Sequence, residues 1–381
     1  MGRIFADNED VQWMRRALLE AAKGLGSVEP NPMVGAVVVS DNQLVGAGHH
    51  ERFGGPHAEV NALNEAGEKA RGATLYVTLE PCCHFGKTPP CTDAILAAGI
   101  ARVVVAMSDP FPEVNGRGLS ALEVMGLQVE TGCEAVAARL LNAPYLKRSI
   151  TGKPFVFAKW AMTLDGKTAA ASGDSRWISS DQSRILVHEL RGRVDAIVVG
   201  IATVESDDPL LTARPPGPRV PARVVLDSAA RLPQSSRLAQ TARDILVIVA
   251  TTELATPLNR DQLSRLGCDV ISFPGCGRVP IGPLLDELGR RGMTNVLVEG
   301  GGQVLGSFLD EGQVDAVDVF IAPILEGGDH ARTSVRGRGL ERMRNAARLR
   351  HVEFSQVGGD IRIRGCLPQA WRARAGLIDD E

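Results

Sequence analysis

Apolar positions recur at helical spacing over VQWMRRALLEAAKGL, where Trp13, Ala17, Leu18, Ala21 and Leu25 share one face and Asp7 to Asp10 supply N-cap residues ahead of them. The pattern then changes to β-rich runs. MVGAVVVS and QLVGAGHH, separated by Asp41-Asn42, predict a hairpin. Beyond them the chain alternates: a helix in HAEVNALNEAGEKA, a strand in ATLYVTLE, a helix opened by Pro89-Pro90 in TPPCTDAILAAG, a strand in ARVVVAM, a further helix, and a strand in LQVETG. Strands alternating with helices predict a partly parallel sheet covered on both faces.

Around LNAPYLKRSITGKP the pattern becomes polar and holds two prolines, which marks a domain boundary. The reading is a first domain over 1–149 and a second over 150–367, in keeping with a chain of 381 residues. PFVFAKWAM opens the second domain. AIVVG, ARVVLD, ILVIVA, CDVISF, NVLVEGG and VDVFIAP follow as strands, with helices in SSDQSRILVHELRG, IGPLLDELGRRG and GQVLGSFLDEG. The tail 368–381, PQAWRARAGLIDDE, has no period and is expected to fray.

Composition narrows the function classes. No apolar run reaches the roughly 18 residues of a membrane span, and MGRIFADNEDVQW lacks an apolar signal segment, so the expected location is cytoplasmic. Seven cysteines, an odd number clustered locally, do not form a disulfide framework, and Cys133, Cys268, Cys276 and Cys366 read as reduced thiols. The formal net charge is −3, and residues 1–150 carry 13 Lys and Arg against 17 Asp and Glu. That balance, with 4% aromatic residues, argues against a nucleic-acid surface.

The chemistry concentrates in EPCCHFGKTPPC, whose three cysteines do not have C-x-x-C spacing. His57-Ala58-Glu59 opens a helix, and Pro81-Cys82 follows a strand. Both places lie at strand C-terminal ends, where sites form in α/β sheets. Imidazole and thiolate are the ligands Zn²⁺ favours, and a catalytic zinc uses three of them, leaving one position for water. Glu59, two residues past His57, can reach such a water and shuttle its proton without ligating. A closed structural site would need a fourth ligand, with Cys83 or His84 the candidates.

H-x-E followed by P-C resembles the zinc nucleobase-deaminase signature, although the usual P-C-x-x-C is absent. TLEPCCHFGKTPPC, with PNPMVGAVVV and GGPHAEVNAL before it, resembles the bifunctional deaminase/reductase family of riboflavin biosynthesis. In that family the last ligand lies nine positions after the first cysteine. The resemblance therefore implies His57, Cys82 and Cys91 as zinc ligands, Glu59 as the catalytic acid/base, and Cys83 as a bystander. It also implies Asn31, His50, His84 and Lys87 as contacts of a phosphorylated pyrimidine substrate.

KWAMTLDGKTA, SGDSRWIS, GIATVESDDPLLTAR and VEGGGQVLGS resemble the reductase half of the same family. The fold implied is a cytidine-deaminase-like three-layer α/β/α domain followed by a dihydrofolate-reductase-like α/β domain. An NADPH site would be lined by Ala161, Trp177, Thr203, Asp207, Ser228 and the turn Gly301, Gly302, Gln303, Val304, Leu305, Gly306 and Ser307. Lys159, Ser175, Arg191, Leu211, Arg214 and Glu299 would surround the substrate, with Arg191 and Arg214 suited to its phosphate. The expected reaction is zinc-dependent deamination of a 2,5-diamino-6-(phosphoribosylamino)pyrimidinone followed by NADPH-dependent reduction of its ribosyl group, in a homo-oligomer. The competing readings are a deaminase of another nucleobase or of a polynucleotide fused to an unrelated domain, and a non-catalytic zinc module.

Overall fold

The computed structural model describes residues 9–85, 89–111, 114–175 and 177–377, and the chain divides into two compact units, 1–151 with 371–381 and 152–370.

In the first unit, helix α1 (Glu9–Ala22) precedes strands β1 (Gly35–Ser40) and β2 (Gln43–His49), followed by α2 (Ala58–Ala66), β3 (Thr74–Val77), α3 (Cys91–Ala97), β4 (Arg102–Val105), α4 (Arg117–Val124), β5 (Gln128–Thr131), α5 (Ala135–Leu141) and α6 (Ala143–Thr151). The sheet order is β2-β1-β3-β4-β5. β1 pairs antiparallel with β2 and β3, while β3, β4 and β5 run parallel. The Asp41-Asn42 turn has φ of 49° and 57°, the paired left-handed conformation of a type I′ hairpin that Asp and Asn tolerate. Alternation along β1 separates the layers. Ala36 and Val38 join a core with Ala58 and Ala62 of α2, Ile95 of α3 and Leu122 of α4. On the other face Gly35 lies against α1, where a Cβ would come within 2.1 Å of the Ala17 carbonyl oxygen.

Three local expectations change. α1 turns Asp10, Val11, Met14, Ala17, Glu20 and Ala21 inward, so the buried stripe is rotated from the predicted one and Leu25 is exposed. The polar stretch at the expected boundary forms helix α6, in which Leu146 and Lys147 are buried; its proline sits in the first turn, where a missing N–H costs nothing. The tail is not frayed at its start. α13 (Ala370–Arg374) buries Trp371, Leu377 is buried beyond it, and Arg139 Nη1 donates to the Gly376 carbonyl at 3.2 Å. Two isolated apolar anchors leave no period to read.

The second unit contains β6 (Phe155–Thr163), β7 (Lys167–Ala169), α7 (Asp181–Arg191), β8 (Ala196–Gly200), α8 (Ile201–Asp207), β9 (Ala222–Leu226), α9 (Arg237–Gln240), β10 (Val247–Thr252), α10 (Pro257–Leu266), β11 (Asp269–Phe273), α11 (Ile281–Arg290), β12 (Asn295–Val298), α12 (Gly302–Asp310), β13 (Ala316–Ala322), β14 (Arg332–Thr333), β15 (Arg350–Val357) and β16 (Asp360–Cys366). Nine strands form one sheet in the order β11-β10-β9-β8-β12-β6-β13-β16-β15, and β7 pairs with β14. Strands β11 to β13 of this order are parallel, and β16 and β15 add antiparallel at the edge. Val156, Val198 and Val296 face Leu284 of α11 and Phe308 of α12, whereas Ile197, Val225 and Val249 face Leu238 of α9 and Leu263 of α10. Buried on both faces, these strands read as continuous apolar runs. The β15–β16 pair was not among the predicted strands. β15 has no buried face, so its sequence carries no core signal.

Candidate functional site

In the first unit the site is built on helix starts. α2 lies so close to β2 that a Cβ at Gly48 would come within 2.5 Å of the Ala62 amide nitrogen, and only glycine permits that approach. Asn61 Nδ2 donates to the His49 carbonyl at 2.8 Å, tying the first turn of α2 to the strand end. This fixes His57 at the N-cap of α2 and Glu59 in its first turn. Cys91 is the first residue of α3, and its amide N–H points at Cys82 Sγ, 3.3 Å away.

His57 Nδ1 is 3.2 Å from Cys91 Sγ and 3.4 Å from Cys82 Sγ, and the three ligand atoms lie within 4.8 Å of one another. Bonds of about 2.1 Å to nitrogen and 2.3 Å to sulfur span a tetrahedral edge of about 3.6 Å, so the donor set and its spacing fit zinc. Among the described residues no other group of three His, Cys, Asp or Glu side chains converges in this way. Cys83 lies outside the cluster. The hydrogen bond between the two sulfurs holds the Cys82 thiol below its ordinary pKa and pushes Cys91 up, while the bond to Cys82 raises His57. Glu59 is 3% exposed, and burial pushes its carboxyl up to about 7. A buried carboxyl poised near neutrality beside a metal-type donor set is suited to carrying a proton in both directions.

Asn31 Nδ2 lies 3.1 Å from His50 Nε2, and His50 Nδ1 lies 2.9 Å from the Pro56 carbonyl oxygen. Since Nδ1 must donate to that carbonyl, Nε2 accepts from the Asn31 amide, and the neutral tautomer is fixed. His50 also stacks edge-on against His57 at 5.5 Å, which places His50, and Asn31 through it, beside the three converging donors. His84 lies 6.4 Å from the Phe111 ring, and Lys87 is outside the described residues.

Two supporting residues escaped the sequence reading. Glu80, 4% exposed, accepts from the amides of Asp109 (3.2 Å), Gly116 (3.0 Å) and Gly118 (2.9 Å), clamping Asp109 and the start of α4 to the strand end that carries Cys82. An acid ending the apolar run LYVTLE was its available signal. Asn142 pairs with Met33 like a strand neighbour, through bonds of 2.8 and 2.9 Å, and so holds the segment carrying Asn31. Nothing local in the sequence announces that contact across 109 residues.

The second unit holds a cleft of about 770 Å³ along the carboxyl ends of its parallel strands. Of the expected residues, Thr203, Asp207, Ser228, Gly301, Gly302, Gln303, Val304, Ser307, Ser175 and Glu299 line it. Ala161, Trp177, Leu305, Gly306, Lys159, Arg191, Leu211 and Arg214 do not. Leu305 packs in the core, and Trp177 is 69% exposed with the Arg184 guanidinium 4.3 Å from its ring centroid. A Cβ on Gly300 would meet Val304 at 2.5 Å, and one on Gly302 would meet the Thr333 carbonyl oxygen at 2.8 Å. The turn is therefore a bare-backbone cradle at the start of α12, which fits a dinucleotide phosphate.

Beside the cleft is a charged group that the sequence split into separate contacts. Arg191 grips Glu299 in a fork, with Nε and Nη2 at 2.8 and 2.6 Å from the two carboxylate oxygens. Arg362 grips Asp318 in the same way, at 2.8 and 2.6 Å. Lys159 faces both pairs. Burial lowers its ammonium pKa, with Glu299 pulling it back up, Arg191 lowering it and Asp318 raising it. Arg191, expected on a phosphate, has its fork occupied by Glu299, while Arg214 is exposed.

Residues 7–107 match the family described as the cytidine and deoxycytidylate deaminase zinc-binding region, and residues 154–363 match the RibD C-terminal domain. The chain is 40% identical over 359 residues to a riboflavin biosynthesis protein RibD of Actinobacillus pleuropneumoniae, covering 94% of this chain and 95% of that one. It is 41% identical over 366 residues to that of Escherichia coli, covering 93% and 98%. Among solved structures, RibD of Acinetobacter baumannii (form 1) superposes with a TM-score of 0.82 at 39% identity, over 95% of this chain and 99% of that chain. A diaminohydroxyphosphoribosylaminopyrimidine deaminase/5-amino-6-(5-phosphoribosylamino)uracil reductase of Thermotoga maritima superposes at 0.79 and 36% identity, over 95% and 99%.

Proposed function

The chain belongs to the RibD family of riboflavin biosynthesis proteins, and from that premise we propose how its residues divide two reactions. The protein is a bifunctional enzyme of riboflavin biosynthesis. It deaminates 2,5-diamino-6-(5-phosphoribosylamino)pyrimidin-4-one hydrolytically with zinc, then reduces the ribosyl group to ribityl with NADPH.

His57, Cys82 and Cys91 would hold the zinc, which supplies Lewis acidity that makes a water nucleophilic near neutral pH. Glu59 takes a proton from the attacking water and returns it to the departing amine. The observation that carries this reading is the buried Glu59 carboxyl, with its pKa near neutrality, beside three converging N and S donors. Asn31, with its amide orientation set by His50, binds the pyrimidine, and His84 and Lys87 receive its phosphate end.

The reductase reaction takes place in the cleft of the second unit, where NADPH supplies the hydride. The backbone N–H groups of the Gly301–Gln303 turn bind the diphosphate. Lys159 delivers the proton to the opening ribose ring, because burial lowers its pKa and frees that proton more readily than from an exposed lysine. Arg191 orients Glu299 toward the sugar, and Arg214 contacts the phosphate.

Two tests bear on this reading. Glu59→Gln is expected to keep stoichiometric metal, lose deamination by at least 10²–10⁴-fold, and leave reduction of the deaminated compound unchanged. Normal deamination by that variant refutes the assignment. A second copy of the chain also fits the exposed β15 edge, where Val352 and Phe354 are exposed and Phe354 stands opposite Ile363 of β16. Sedimentation should then show wild type as a dimer or larger and Phe354→Arg as a smaller species; an unchanged assembly in the variant rules out this surface.

A further inference from the structure

We propose that Asp318 and Arg362 are a positioning pair for the reductase reaction, in which the Arg362 fork occupies Asp318 and so leaves the Lys159 ammonium near the carboxylate but free to face the sugar. The inference rests on the reading of Lys159 as the proton donor and names the two groups that set it.

Strand β13 lies between β6 and β16, and register puts the three side chains on one face. Asp318 is the partner of Lys159 across the parallel β6–β13 pair, and Phe320, two residues on, is the partner of Arg362 across the antiparallel β13–β16 pair. Partnered residues project from the same side of a sheet, and so do residues two apart. Lys159, Asp318, Phe320 and Arg362 therefore share one surface. The Phe320 ring, 1% exposed, is its floor: Lys159 Nζ lies 5.8 Å and Arg362 Cζ 5.4 Å from the ring centroid.

An aspartate beside a lysine would ordinarily bond it. Such a bond would pin the ammonium against β13 and hold its proton. Here both carboxylate oxygens are taken instead, Oδ1 by Arg362 Nε at 2.8 Å and Oδ2 by Arg362 Nη2 at 2.6 Å. A bidentate fork fixes the plane of the carboxylate as well as its charge. Asp318, 4% exposed, therefore reaches Lys159 by charge alone and favours its protonated form without binding it.

The remaining charges fit the same scheme. β6 is flanked by β12 and β13, so Glu299, forked by Arg191 of α7, stands on one side of Lys159 and Asp318 on the other. His188 of α7 acts on Glu299, and Glu353 of β15 and Glu189 of α7 act on Arg362. Loss of either member of the outer pair should then move Lys159 in opposite senses. Without the Asp318 charge, Arg362 shares the ring with the ammonium uncompensated, and the proton leaves more easily. Without the Arg362 fork, the freed carboxylate binds the ammonium and keeps the proton.

The test is NMR titration of full-length protein carrying ¹³C-labelled lysine, without nucleotide or pyrimidine. Lys159 is one of seven lysines, and its signal is assigned by its loss in Lys159→Arg. Asp318→Asn should lower its titration midpoint by about one pH unit, Arg362→Gln should raise it by about as much, and the double variant should return it toward wild type. Arg362→Lys, which keeps the charge balance and loses the fork, should also raise it, and serves if the other single variants do not fold. In the reductase assay the pH dependence of kcat should move in the same senses, with Arg362→Gln losing roughly tenfold at neutral pH and KM little changed. The proposal is overturned if the single variants leave the Lys159 midpoint at its wild-type value, if Asp318→Asn and Arg362→Gln move it in one sense, or if the double variant does not restore it. Midpoints that move as expected without the pH dependence of reduction following them would show that Lys159 is not the proton donor, which overturns the reading of the reductase site and the pair's role in it.

Discussion

Replacing Glu80 by glutamine should disable deamination although Glu80 touches neither a proposed ligand nor the substrate. One carboxylate oxygen accepts from Asp109 and Gly116 at 3.2 and 3.0 Å, and the other from Gly118 at 2.9 Å. In the best orientation the glutamine oxygen keeps the first two bonds. Its NH₂ then faces the Gly118 amide, donor against donor, with the site 4% exposed and closed to water. One lost charge-assisted bond and one stranded donor cost together about 3 kcal/mol. For a unit of this size that lowers the unfolding midpoint by roughly 6–12 °C. The damage falls on the segment adjoining Cys82, so zinc stoichiometry and deaminase rate should both drop while reduction of the deaminated compound persists. Calorimetric scanning, metal analysis and separate assays of the two half-reactions measure this. A variant with wild-type melting and full deamination would show that Glu80 does not clamp Asp109, Gly116 and Gly118.

Cys83→Ser should retain zinc, whereas Cys82→Ser and Cys91→Ser should lose it, because each removes one of three protein ligands; equal metal loss in Cys83→Ser and Cys91→Ser means the ligand set is wrong. Chelation of the wild-type enzyme should abolish deamination and spare NADPH oxidation with the deaminated compound, and a parallel loss of both would contradict separate sites. Asp10 is held below its ordinary pKa of 3.8 first by its hydrogen bonds to Arg102, at 2.9 and 2.8 Å. Its stabilisation is therefore present above that value and lost as pH falls below it, so Asp10→Asn should be less stable than wild type by on the order of 2 kcal/mol at pH 7, with the gap closing below about pH 4. A gap independent of pH would rule out ion pairing as its source.

The elements that could be read from the sequence are those whose signal is local. β1, β3, β4, β8, β9, β10 and β12 are apolar runs bounded by turns, and the Asp41-Asn42 hairpin is set by two residues able to adopt positive φ. His57, Glu59 and Cys82 drew notice because that chemistry uses such residue types at helix starts and strand ends, and the choice of Cys91 over Cys83 came from the family resemblance. Where the driving force was absent from the local pattern, the reading failed. β15 has no buried face, α6 sits in a polar stretch with prolines nearby, and α13 is held by Trp371 and Leu377 alone.

Partnership is what the sequence left open, because a side chain's role depends on which distant group folding places against it. The family resemblance implied a phosphate for Arg191; the tertiary structure sets it against Glu299, where burial lowers its pKa and the Glu299 charge and hydrogen bonds more than offset that. The fate of Asp227 was decided in the same way. Its carboxylate is buried at the end of β9, where the turn at Ala230 brings the Arg231 and Leu232 amides onto it and leaves Arg231 at the surface. The residue types in EPCCHFGKTPPC and around His57 pointed to a metal-type site, and the family resemblance chose among its sulfurs, whereas the clamps at Glu80 and Asn142 and the lowered pKa of Lys159 come from groups far apart in sequence that packing brings within hydrogen-bond or Coulomb range.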